Sequence, residues 1–124
     1  MANKAHTDID TTIAWLKGEI GQFVREREWN QFHTLKNLSM NLAVEASELM
    51  EKFLWVSTEA SIKDMPNKRR EIEDELADVF IAAIAFANAA EIDVSTAFKR
   101  KIAEVCKKYP IEKARGRADK YTDL

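Results

Sequence analysis

The chain has 124 residues, of which 46% are hydrophobic, and a net charge of −2. This composition suits one domain with a packed core and argues against bulk disorder. With only 3 Gly and 2 Pro, the sequence is too poor in turn residues for a β-sandwich or a β-barrel. The single Cys106 excludes an intrachain disulfide and a cysteine-based zinc cluster.

The hydropathy pattern predicts a cytoplasmic protein. The segment from Met1 to Asp10 is polar and contains no apolar h-region, so we expect no secretory signal. No apolar run approaches the ~20 residues needed to cross a bilayer, so we expect no membrane partner.

Charge is unevenly distributed along the chain. Residues 45–93 carry twelve acids and five bases, whereas residues 94–124 carry four acids and nine bases. Ordinary solvated helix faces produce such a pattern, and so does an acidic cation site beside a basic surface for anions. The net charge is negative and no known nucleic-acid-binding motif is present, so we expect no nucleic-acid partner.

An apolar period of 3.6 residues predicts four helices. They are expected at about Asp8–Glu28, Thr34–Trp55, Asn67–Ala90 and Val94–Tyr109. Thr7 or Asp8 can cap the first, and Asp93 or Ser95 the fourth. Pro66 suits the first turn of the third helix, where its missing N–H costs nothing.

Short connections between these helices predict an all-α fold, an antiparallel four-helix bundle. We expect the helical domain to span residues 1–112, followed by a polar, basic C-terminal tail over residues 113–124. The apolar, alanine-rich run from Val79 to Ala90 is more than a small bundle buries by itself. We therefore expect part of it to pack against a second copy in a homodimer or homotetramer.

Two pairs of acids interrupt apolar helix faces. In the second helix, Glu45 lies in the apolar stripe that begins at Leu38, and Glu48 follows three residues later. Glu75 and Asp78 repeat this pattern in the third helix. We expect all four carboxylates to lie on or beside buried faces.

Carboxylates pointed into one space repel each other unless a cation neutralises them. Oxygen ligands alone suit Mg²⁺, with Mn²⁺ as a substitute. Neither pair contains histidine, which disfavours a di-iron site of the Glu-x-x-His type. The alternative is a set of ordinary salt bridges with Lys52, Arg69 or Arg70.

The two acid pairs, Glu45-Ala-Ser-Glu48 and Glu75-Leu-Ala-Asp78, resemble those of the MazG-like nucleotide pyrophosphohydrolases, in the all-α NTP pyrophosphatase superfamily. Three further segments resemble the dCTP pyrophosphatase branch of that family. They are Glu28–His33 followed by Asn37-Leu38, Leu49–Trp55, and the closing Lys108-Tyr109-Pro110. The resemblance covers roughly residues 8–112.

The resemblance implies a Mg²⁺-dependent enzyme of nucleotide-pool house-cleaning, which hydrolyses a nucleoside triphosphate, dCTP among the substrates, to the monophosphate and pyrophosphate. It implies metal binding by Glu45, Glu48, Glu75 and Asp78, with Glu48 as the general base. The substrate-binding residues that it implies are Trp29, His33, Asn37, Trp55, Lys101, Lys108 and Tyr109. The two tryptophans offer flat platforms for a nucleobase, and their alternative role is in a core or an interface.

Three positions depart from that branch, which has histidine, tyrosine and asparagine where this chain has Ile20, Ala82 and Val105. Apolar residues there remove hydrogen bonds, and a pocket that only stacks a base discriminates weakly. We therefore expect a broader dNTP range. The competing hypotheses are a dUTP pyrophosphatase, a phosphoribosyl-ATP pyrophosphohydrolase and a non-catalytic helical interaction module.

Overall fold

A computed structural model describes residues 6–124. Residues 1–5, which begin the segment in which we expected no secretory signal, lie outside the described residues. All regular structure in the described part is helical, so the all-α prediction is confirmed. The helices are α1 (Ile13–Glu26), α2 (Leu35–Glu51), α3 (Thr58–Lys63), α4 (Met65–Ala89), α5 (Val94–Lys108) and α6 (Ile111–Ala114), with 3₁₀ turns at Trp29–Gln31 and Tyr121–Asp123.

Side-chain caps explain where the helices begin. Helix α1 begins at Ile13, because the Thr12 hydroxyl accepts a hydrogen bond from the Trp15 backbone N–H at 3.1 Å. The predicted cap at Thr7 or Asp8 is wrong. Thr7 instead lies in a turn before the helix, where its backbone N–H donates to the Asp10 carboxylate at 2.7 Å. The predicted Asp93 cap of α5 is confirmed, with a distance of 3.0 Å to the Thr96 N–H.

The segment between α2 and α4 differs most from the prediction. Helix α2 ends at Glu51 rather than Trp55, and Trp55 adopts a left-handed φ of 61°, which a right-handed helix does not accommodate. The short helix α3 forms in the stretch predicted to be irregular, where the Ser57 hydroxyl caps it by accepting from Ala60 N–H. Pro66 lies in the first turn of α4, as predicted.

The chain divides into two compact units, Met1–Glu91 and Ile92–Leu124. In the first unit, α2 and α4 pack against each other and α1 packs on α4. Leu38, early in α2, lines a cavity with Ala85, late in α4, whereas Lys52, just past the end of α2, pairs with Glu71, early in α4. Residue numbers thus rise along α2 while those of their partners fall along α4, so the two helices are antiparallel.

Small side chains form much of the core of the first unit. The buried apolar residues are Val24 of α1, Leu38 of α2, and Ile72, Ala82, Ile84, Ala85 and Ala87 of α4. Alanine lets neighbouring helices approach closely. Asn88 strengthens the packing by donating its side-chain amide to the Lys17 carbonyl of α1 at 3.0 Å. Within the apolar run of α4, Phe80 and Ile81 remain about half exposed.

In the second unit, the C-terminal residues fold back on the end of α5. The Tyr121 ring meets the Tyr109 ring edge to face, with a centroid separation of 6.0 Å, and the Lys108 ammonium lies 5.0 Å from the Tyr121 centroid. The segment that we predicted to be a tail therefore carries a structured 3₁₀ turn.

Among residues 6–124, no single helix is both long enough and apolar enough to cross a membrane. One consecutive pair, α4 and α5, meets the length and composition criteria only when the two are taken together across a sharp bend.

Leu38 tests whether the contact of α2 with α4 carries the stability of the first unit. Its side chain is 4% exposed, so we expect Leu38→Ala to lower the free energy of unfolding by about 2–4 kcal/mol through lost burial and the cavity that remains. Ile62 of α3 is 73% exposed, and Ile62→Ala is the control, with an expected change within about 0.5 kcal/mol. Urea unfolding measures both, and equal effects would contradict this description of the core.

Candidate functional site

Three carboxylates meet between α2 and α4. Glu45, Glu48 and Glu75 each offer an oxygen atom, and these three atoms lie within 4.8 Å of one another. Glu45 and Glu48 are one helical turn apart on α2, and the antiparallel pairing brings Glu75 of α4 opposite them. The structure thus brings together three of the four residues that we predicted as metal ligands.

The fourth, Asp78, lies one turn beyond Glu75, and its effect is visible at Glu45. The pKa of Glu45 is raised, first by the burial of its carboxyl and then by hydrogen bonding with Glu48. The negative charges of Glu48, Asp78 and Glu75 raise this pKa further. Asp78 therefore belongs to the electrostatic surroundings of the cluster, although its side chain is exposed.

Glu45 carries an unsatisfied polar atom. Its Oε2 is buried and has no hydrogen-bond partner, a costly condition for a carboxylate. A hard divalent cation takes oxygen ligands and would satisfy this atom while neutralising the surrounding charge. The donor set of the cluster therefore fits Mg²⁺ or Mn²⁺.

Salt bridges account for only part of the cluster. The Lys52 ammonium lies 2.6 Å from Glu71 Oε1 and 3.5 Å from Glu75 Oε1. The ammonium holds the pKa of Glu71 below its usual value, and Glu71 in turn raises the pKa of Lys52. Glu75 thus has a cationic partner, which sequence reasoning gave only as an alternative.

The two arginines considered with Lys52 pair elsewhere. Arg69 reaches Glu73 at 3.4 Å and Arg70 reaches Asp74 at 3.3 Å, each along the exposed face of α4. Neither of these pairs involves the carboxylate cluster. Salt bridges to the arginines therefore leave the repulsion at Glu45 unchanged.

An apolar cavity of about 390 Å³ lies beside the first turns of α2, before the position of the cluster. This volume is typical of small-molecule sites. It contains three of the predicted substrate-binding residues, Trp29, His33 and Asn37. Asn37 donates its side-chain amide to the Phe32 carbonyl at 3.1 Å, which ties the start of α2 to the 3₁₀ turn that carries Trp29. This hydrogen bond leaves the Asn37 Oδ1 as an acceptor.

Two residues that depart from the dCTP pyrophosphatase pattern line the same cavity. Ile20 of α1 and Ala82 of α4 form part of its wall, and both are apolar. Sequence reasoning missed Asn41, which adds a polar amide to this wall four residues before Glu45. The spacing of four residues from Glu45 was the sequence signal that could have identified Asn41. It was missed because Asn41 does not interrupt an apolar stripe of α2.

The remaining predicted substrate-binding residues lie outside this cavity. Trp55 is 99% exposed at its left-handed turn and is not among the cavity-lining residues. Lys101, Lys108 and Tyr109 belong to the second unit. There Lys101 pairs with Glu104 at 3.2 Å, while Lys108 and Tyr109 contact Tyr121.

Residues 40–124 match the MazG-like family, and this match contains both acid pairs and extends to the last residue. The chain belongs to the MazG-like family. The resemblance identified from the motifs is therefore confirmed.

Known relatives carry the name dCTP pyrophosphatase 1. The mouse protein is 40% identical over 105 residues and the human protein 35% identical over 106. Each alignment covers 83% of this chain, and the chain spans only 62% of the length of each relative. A crystal structure of a pyrophosphatase from Archaeoglobus fulgidus matches with a TM-score of 0.75 and 31% identity, covering 89% of this chain and 99% of that one.

The raised pKa of Glu45 predicts a pH dependence of the metal-free protein. Between the usual value of 4.5 and the raised one, the folded state binds more protons than the unfolded state. Stability conferred by this group therefore falls as pH rises through that window. Glu71 has a lowered pKa, so the stability that this group confers is lost as the pH falls below 4.5 through its lowered pKa.

We expect Glu45→Gln to raise the melting temperature of the metal-free protein at pH 7, with the gain shrinking as the pH falls through the raised pKa of Glu45 toward 4.5. Glu51→Gln makes the same charge change at an exposed position of α2 and serves as the control. Thermal melts in EDTA across this pH range measure the effect. A gain of equal size at every pH, or an equal gain for Glu51→Gln, would contradict the assignment.

Proposed function

We propose that the protein is a Mg²⁺-dependent nucleoside triphosphate pyrophosphohydrolase that converts dNTPs, dCTP among them, to dNMP and pyrophosphate. The observation that carries this proposal is the buried, unpartnered Oε2 of Glu45 within a carboxylate cluster, one turn from an apolar cavity. An acidic cluster accepts a triphosphate only with divalent cations, and an aromatic-walled cavity suits a nucleobase. Family membership and the names of the relatives support the same reaction.

Glu45, Glu48, Glu75 and Asp78 would hold Mg²⁺, with Mn²⁺ as a substitute. The bound ion would offset phosphate charge and make a water molecule more acidic. We assign Glu48 the role of general base, which accepts the proton of the attacking water. The water oxygen forms a bond to the α-phosphorus while the bond from that phosphorus to the α–β bridging oxygen breaks, and pyrophosphate leaves.

In this proposal, the cavity holds the base and sugar. Trp29 stacks on the base, His33 contacts the sugar or base, and the Oδ1 of Asn37 accepts a hydrogen bond. We propose that Trp55 provides a second stacking surface and that the phosphates are contacted by Lys101, Lys108 and Tyr109. The hydrolysis of selected dNTPs would serve house-cleaning of the nucleotide pool in the cytoplasm.

We also propose that the chain forms an antiparallel four-helix bundle and works as a homodimer or homotetramer. Large apolar residues at helical spacing on α2 and α4 support self-association. Met40 and Val44 are 60% and 51% exposed, and Leu76 and Phe80 are 45% and 56% exposed. Large exposed apolar residues at the spacing of one helix face are typical of protein interfaces.

Pyrophosphate release from a panel of dNTPs and NTPs tests the reaction. We expect release together with the monophosphate in Mg²⁺ and none in EDTA. Glu48→Gln should lower kcat by about 100-fold or more, because it removes the base and a metal ligand. Glu51→Gln, one turn further along α2, is the control with expected wild-type activity. If folded protein releases pyrophosphate from no nucleotide, the proposal fails in favour of phosphoribosyl-ATP hydrolysis or a non-catalytic role.

The apolar wall at Ile20 and Ala82 predicts a broad substrate range. We expect the kcat/KM values for dCTP and at least one other dNTP to differ by less than about 100-fold. An apolar pocket wall makes no hydrogen bonds to the base and therefore discriminates weakly between bases. Ile20→His adds a hydrogen-bonding group to the cavity and should widen the difference, whereas Ile20→Leu should leave it unchanged. A wild-type preference for dCTP above 100-fold over every other dNTP would contradict this prediction.

A further inference from the structure

Lys52 contacts a residue of the carboxylate cluster, Glu75. Lys52 follows the last residue of α2, one turn after Glu48, and its side chain is only 28% exposed. Its ammonium lies 3.5 Å from Glu75 Oε1, and the Glu75 side chain is itself only 20% exposed. A positive charge of the protein therefore stands beside a carboxylate that the proposed function assigns to the metal.

The two contacts of Lys52 differ in length. The ammonium is 2.6 Å from Glu71 Oε1, the distance of a strong charge-assisted hydrogen bond, and 3.5 Å from Glu75. Glu71 lies one turn before Glu75 on α4, with its side chain about half exposed. Because lysine carries its charge on a flexible four-carbon stem, the ammonium can leave Glu75 while it keeps its bond to Glu71.

We propose that Lys52 is a built-in competitor of the divalent cation, which shares Glu75 in the metal-free protein and moves onto Glu71 when an ion binds. This inference rests on the proposed metal site and concerns how that site is filled. An ammonium and a dication on the same carboxylate repel each other, so displacing Lys52 opposes part of the gain from ion binding. Lys52 thereby sets the ion concentration at which the site is occupied. Glu71 provides the carboxylate that Lys52 contacts once the ion has displaced its ammonium from Glu75.

The test is Mn²⁺ binding to the full chain without nucleotide, followed by the electron paramagnetic resonance signal of free Mn²⁺. Lys52→Met keeps the length of the side chain and removes the charge, and we expect it to tighten Mn²⁺ binding by about tenfold. Lys52→Arg restores the charge and should bind within about twofold of the wild type. Lys36→Met, at an exposed position in the first turn of the same helix, is the matched control with unchanged affinity.

Glu71→Gln provides an independent arm, should Lys52→Met fold poorly. Without the Glu71 carboxylate the Lys52 ammonium remains on Glu75, so Mn²⁺ binding should weaken by about tenfold. The loss should be smaller in the Lys52→Met background, because both substitutions act through the charge of Lys52. Circular dichroism confirms that each variant is folded.

Unchanged or weaker Mn²⁺ binding by folded Lys52→Met, while the wild type binds, would overturn the role of Lys52 alone. An equal effect of Glu71→Gln with and without Lys52 would also overturn it. Absence of Mn²⁺ binding by both the wild type and Lys52→Met would overturn the proposed metal site as well. Binding by Lys52→Met alone would support the competition in its strongest form.

Discussion

The antiparallel contact between α2 and α4 is the constraint on which the rest of the structure depends. It places Glu75 of α4 opposite Glu45 and Glu48 of α2, so the packing that buries Leu38 and Ile72 also brings these three carboxylates together. The raised pKa of Glu45 records this conflict. A fold that needed only stability would place apolar residues here, because repulsion among the carboxylates and the buried, unpartnered Oε2 of Glu45 cost free energy. This conflict supports the proposed cation site.

The polarity of the α2–α4 pair changes in one direction along its length. The apolar cavity with Asn37 and Asn41 comes first, the carboxylates follow, and Lys52 with Glu71 comes last. From Asn41 to Lys52 the helix rises by roughly 16 Å, at about 1.5 Å per residue. The proposed substrate has the same order of chemistry, an aromatic base at one end and charged phosphates at the other. One helix pair can thus supply both the apolar and the charged part of the site.

Periodicity predicted the features that repeat along a helix and missed those that depend on single residues. Glu45 and Glu75 were found because each interrupts an apolar stripe, and the structure places their oxygens together. The six-residue α3 and the left-handed turn at Trp55 carry no periodic signal, so the end of α2 was misplaced. Which acids of α4 pair with Lys52 depends on the register of α2 against α4, and the local sequence does not encode this register.

The carboxylate cluster and Lys52 together show how the protein limits charge repulsion between α2 and α4. The ammonium of Lys52 offsets the charge of Glu75, and the raised pKa of Glu45 lets its carboxyl take up a proton at a higher pH than an ordinary glutamate does. Both compensations are reversible, since under the proposed function a divalent cation would displace the proton and the flexible lysine side chain. At the proposed metal site, the same two groups that reduce repulsion between the carboxylates would weaken ion binding, so the stability of the metal-free protein and its affinity for the ion would be opposed through Glu45 and Lys52.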